Sequence, residues 1–79
     1  MEDHMKRVVV EYREINEKLA KLTAFNKSPR YSELDHDRRL LLLEQEGVML
    51  RYSDILRKRL ALEGIEVTAV EAEWEKDVE

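Results

Sequence analysis

Met5, Val8, Tyr12, Ile15, Leu19 and Leu22 follow one another at alternating steps of three and four. No other feature constrains the fold as tightly. That spacing lines one face of an α-helix, whereas on a strand it would scatter the same residues over both sides. The predicted helix covers about residues 3–25, with Glu11, Arg13, Glu14, Glu17, Lys18 and Lys21 on its solvated faces. Val8, Val9 and Val10 form a β-branched triplet of poor helix propensity, which reads as a local widening of the apolar seam.

The periodic run stops at Phe25, and the stretch 26–34, "NKSPRYSEL", breaks it. Pro29 drives Ser28 out of the helical region, and Asn26 is suited to a left-handed cap. These residues predict the turn of a helical hairpin, with room for a single helical turn after Pro29. A second helix is expected over about 35–62, opened by Asp35 and stopped by Gly64. It carries two apolar stripes: Leu41, Val48, Ile55 and Leu62, and beside them Leu42, Met49 and Leu56. A single partner helix needs one stripe. The other, with Gln45, Tyr52 and Arg59 alongside, is left for another molecule.

These elements define an all-α fold: an antiparallel two-helix hairpin over residues 1–64 that assembles into a helical bundle, followed by an acidic tail over 65–79. In the tail Ile65 and Val67 alternate as in a short strand, while Thr68 and Glu71 form a capping-box pattern that favours a short helix carrying Val70 and Trp74. Self-association is expected because 79 residues without a cysteine cannot use disulfides to compensate for a small core. The expected interface is the second stripe with its polar neighbours, namely Leu42, Gln45, Met49, Tyr52, Leu56 and Arg59.

The net charge of −4 disfavours binding to duplex nucleic acid, which needs a cationic surplus. No run is long and apolar enough to span a membrane, and no signal-peptide pattern opens the chain, so a cytoplasmic protein is expected. No nucleophilic cysteine, glycine-rich phosphate loop or paired-carboxylate spacing is present, so neither an enzyme nor a cofactor is expected. His4 and His36 lack metal-ligand spacing, and no metal is expected either. Lys27, Ser28, Arg30 and Tyr31 are the candidate ligand groups. Cations and a hydroxyl suit a phosphate, and an aromatic ring suits a base.

Two segments carry a family likeness. "RVVVEYREINEKLAKLTAF" and "YSELDHDRRLLLLEQEGVMLRYSDILRKRLA" resemble small bacteriophage helical-hairpin proteins described as relatives of a crAss-like phage protein. The matching positions include Arg7, Glu17, Lys18, Leu22 and Phe25, then Gln45, Met49, Tyr52, Arg59 and Leu60. In size and architecture the chain is also similar to the phage sponges that sequester cyclic oligonucleotides, although Leu50 stands where those have a tryptophan. The resemblance implies a non-catalytic phage protein in the host cytoplasm. It would counter antiviral defence by holding a small nucleotide, a cyclic oligonucleotide or an ADP-ribose derivative, between protomers. Two other roles fit the residues: an inhibitor or adaptor of a host protein acting through the acidic tail with Trp74 as anchor, and a structural coiled coil.

Overall fold

The computed structural model of the protein describes residues 3–66. Helix α1 spans Asp3–Asn26, a single-turn helix α2 spans Pro29–Ser32, and helix α3 spans His36–Leu62. Among the described residues there is no strand, and the long helices pack antiparallel as an all-α hairpin. The expected tail helix, with Val70 and Trp74, lies outside the described residues.

The α1 seam forms as its spacing requires. Met5, Val8, Tyr12 and Leu19 are buried, and Ile15 and Leu22 are half-buried. The valine triplet widens the seam by one position: Val9 packs on the core, while Val10 is exposed.

On α3 the two stripes take the opposite roles to those expected. Leu56 and Leu60 are 0% exposed in the core, Ser53 is buried, and Leu42 and Met49 are half-buried on the same face. Three of the residues assigned to an oligomer interface, Leu42, Met49 and Leu56, therefore face α1 within the chain. The stripe left outside is Leu41, Val48, Ile55 and Leu62, at 64%, 61%, 51% and 86% exposure. Gln45, Tyr52 and Arg59 remain exposed beside it.

Polar contacts explain the choice of face. The Ser53 hydroxyl donates to Asn16 Oδ1 at 2.9 Å, and the Asn16 amide donates to the Tyr12 carbonyl at 2.8 Å. Seven residues away on each helix, the Thr23 hydroxyl donates to Glu46 Oε2 at 2.7 Å. These two rungs satisfy polar groups that would otherwise argue against burying this side of α3.

The helix ends follow local chemistry. Asp35 caps α3 by accepting from the Arg38 backbone N–H, and Pro29 occupies the first turn of α2. Asn26 is not left-handed, since no residue other than glycine has positive φ among the described residues. It stays in α1, and its amide donates to the Leu42 carbonyl and to Glu46 Oε1. Gly64 does adopt the left-handed conformation, at φ 75°. Its N–H donates to the Ala61 carbonyl and that of Ile65 to the Leu60 carbonyl, a Schellman closure that returns Ile65 to the core.

Leu60→Ala is expected to destabilise the hairpin by about 2–5 kcal/mol through the cavity it leaves. Gly64→Ala should cost about 1–2 kcal/mol, because alanine resists the left-handed conformation. Urea unfolding followed by circular dichroism measures both.

Candidate functional site

The turn end of the hairpin is built from the close of α1, all of α2 and the start of α3. Ser28 precedes Pro29 in an extended conformation, and its hydroxyl donates to the Phe25 carbonyl at 2.6 Å. Tyr31 is half-buried, and its hydroxyl donates to the Arg39 carbonyl at 3.3 Å, which ties α2 to α3. Two of the four candidate ligand groups therefore have hydroxyls engaged within the fold. Ser28 shapes the turn, and Tyr31 offers a ring held in place rather than a free hydroxyl.

Lys27 and Arg30 are exposed, and neither enters a salt bridge among the described residues. Arg38 is committed to Asp35 at 2.5 Å, and this contact holds the Asp35 carboxyl below the ordinary carboxylate range. Asp35 is neutralised by its neighbour, while Glu33 and Asp37 are exposed at the same end as Lys27 and Arg30.

Two residues that the sequence reading did not single out join them. Arg39 Nε and Asn26 Oδ1 are buried atoms without a hydrogen-bond partner among the described residues. Arg39 is half-buried, three residues before Leu42 on the packed face of α3. That register was the available signal: an arginine on an inward-facing row must either find a partner or hold one. The Asn26 amide is spent on Leu42 and Glu46, whereas Lys27, Arg30, Arg39 and the Tyr31 ring supply cations and an aromatic surface. Such groups hold phosphate oxygens by charge and a base by stacking.

Concave surface is found along the flank of α1. Lys6, Arg7, Val10, Glu11 and Glu14 line a shallow recess of about 350 Å³. Glu11, Glu14, Ile15, Lys18 and Tyr52 line a neighbouring one of about 240 Å³. Glu11 and Glu14 belong to both, so an anion here meets two carboxylates among the cations. This flank suits phosphate less well than the turn does. The Tyr52 hydroxyl bonds to Glu11 across the two helices, and the carboxylate raises the Tyr52 pKa above its ordinary value.

No group of His, Asp or Glu among the described residues could hold a metal ion. His4 and His36 open α1 and α3, which places them at opposite ends of the hairpin. No helix among the described residues is long and apolar enough to cross a membrane.

The family model for Sequestin matches residues 2–62, which takes in both long helices, the turn and the exposed α3 stripe. The chain belongs to the Sequestin family. The match ends where α3 ends, so the acidic tail, with Glu71, Glu73, Glu75, Asp77 and Glu79, lies beyond it. No curated protein and no solved structure matches the chain.

In this Sequestin-family hairpin, Tyr52→Phe should remove a phenol that ionises above the ordinary tyrosine value of 10.0. A raised native pKa stabilises the fold below the unfolded-state value and is lost as pH climbs through the native one. The wild type should therefore lose the Tyr52–Glu11 contribution only at strongly alkaline pH, and the variant should lack that loss. Ultraviolet titration at the phenolate band, paired with melting curves, measures both.

Proposed function

We propose that this protein is a phage-encoded, non-enzymatic hairpin that assembles with its own copies and sequesters a small nucleotide signal of host antiviral defence. The ligand class is a cyclic oligonucleotide or an ADP-ribose derivative, captured in the host cytoplasm. Membership of the Sequestin family over residues 2–62 carries the reading, since the family name denotes holding rather than converting. The turn end supports it with the matching chemistry: exposed Lys27 and Arg30 without salt bridges, the anchored Tyr31 ring, and the unpartnered Arg39 Nε. Ser28 contributes by setting the turn.

Sequestration works by stoichiometry. A protein that only binds must be present at the concentration of its ligand and must hold it well below that concentration. Binding confined to the folded state then stabilises the protein, by about 2.7 kcal/mol when ligand reaches a hundred times Kd. For a domain of this size that corresponds to a rise in Tm of roughly 10–20 °C.

A panel of cyclic di- and trinucleotides and ADP-ribose derivatives at high micromolar concentration, followed by thermal unfolding, is the direct test. At least one ligand should raise Tm and be recovered chemically intact after denaturation. Lys27→Ala combined with Arg30→Ala should abolish the rise while leaving the ligand-free stability within about 1 kcal/mol of wild type, as expected for exposed substitutions. No rise anywhere in the panel overturns the nucleotide reading, and recovery of a converted ligand overturns the non-enzymatic one.

A further inference from the structure

We infer that the exposed stripe of α3 docks against the same stripe of a second copy, with the two α3 helices antiparallel. The inference rests on the assembly part of the reading above and is independent of the ligand. It assigns the face, the direction and the register of that assembly.

Three observations lead to it. First, Leu41, Val48, Ile55 and Leu62 lie seven residues apart and more than half exposed, an unbroken heptad row about 30 Å long at 1.5 Å per residue. Within the chain α1 covers the other face of α3, so this row has no cover among the described residues. Second, the row is self-complementary about its middle. Turned end for end around Arg51 and Tyr52, Leu41 meets the partner's Leu62 and Val48 meets the partner's Ile55.

Third, the flanking charges select the antiparallel direction. In the same register Glu44 stands level with the partner's Arg59 across the row, and by symmetry Arg59 with the partner's Glu44, while Arg51 of each copy lies beside the two-fold axis. Glu44 and Arg59 are both exposed, and neither forms a salt bridge among the described residues. The other cations of that last stretch, Arg57 and Lys58, are both paired with Asp54. A parallel pairing would instead set Glu44 level with the partner's Glu44 and Arg59 level with the partner's Arg59, like charges facing each other across an apolar seam. A two-fold interface repeats each favourable contact twice, so the sign of this charge pair weighs double.

The test uses the full chain in analytical ultracentrifugation over a wide concentration range, with circular dichroism as the check on folding. The wild type should sediment as a dimer or a multiple of one. Ile55→Glu should raise the dissociation constant at least a hundredfold with helicity retained, because Ile55 lies outside the packed core. Leu43→Glu, an equal change at another exposed leucine off the row, should leave assembly unchanged. Glu44→Arg and Arg59→Glu should each weaken association about tenfold, since two exposed pairs turn from attraction to repulsion. Both changes in one chain should restore it.

A wild type that stays monomeric throughout overturns this inference and the assembly half of the function together. An oligomer that survives Ile55→Glu overturns the assigned face alone. Failure of the double charge reversal to restore association overturns the antiparallel register. If Ile55→Glu loses helicity, the charge-reversal set decides by the same criteria. Loss of nucleotide binding with association intact counts against the ligand and leaves the docking standing.

Discussion

Two polar rungs between α1 and α3 fix everything else about the hairpin: Ser53 on Asn16 and Glu46 on Thr23. The members of the two pairs are separated by seven residues on each helix, so both rungs hold in one register only. A slip of one heptad would set Asn16 against Glu46 and press the Ser53 hydroxyl onto the apolar Val9 position. Half-satisfied buried polar groups are more costly than an apolar seam, and in this way polarity selects among registers that apolar packing would leave nearly degenerate. Leu56 and Leu60 then supply the burial, at the end of the seam closed by Gly64 and Ile65.

The register in turn determines what the turn end can offer. Asn26 spends its amide on Leu42 and Glu46, which leaves its carbonyl oxygen unpartnered. Tyr31 is tied by its hydroxyl to the Arg39 carbonyl, and the Arg39 guanidinium retains an unpartnered nitrogen. The positive character here is local. It arises because Arg38 neutralises Asp35 while Lys27 and Arg30 stay outside any pair, and it coexists with a net charge of −4 over the chain. Glu33 and Asp37 are exposed in the same stretch, so the cations of the turn stand among carboxylates.

Much of this was legible in the sequence, and one assignment was not. The α1 seam could be read directly, because Met5 to Leu22 obey one period and charged residues fill the gaps. The break at Pro29, the Asp35 cap and the Gly64 stop are local chemistry and appear where the residues place them. The faces of α3 were read in reverse because apolar content alone does not separate them. The outer row is as hydrophobic as the inner one, and the inner row contains a serine and a glutamate. Only the partner residues on α1 reveal that Asn16 and Thr23 satisfy these groups, and such pairing is a property of two helices together. The candidate ligand groups at the turn were half legible for a similar reason. Lys27 and Arg30 are free cations, as their exposed positions in a turn suggest, whereas the hydroxyls of Ser28 and Tyr31 are consumed by contacts that sequence order does not display.

The inferred antiparallel docking of α3 would carry a consequence for how the proposed ligand is held. With Leu41 of one protomer beside the partner's Leu62, the two turns would lie at opposite ends of the pair, about 45 Å apart along the helix axis. A mononucleotide-sized signal cannot bridge that distance, so the turns act as separate sites rather than halves of one. The partner's Arg59 would stand level with Glu44, well inside α3 and away from the turn, so each turn would have to hold its ligand with its own groups, one ligand per protomer.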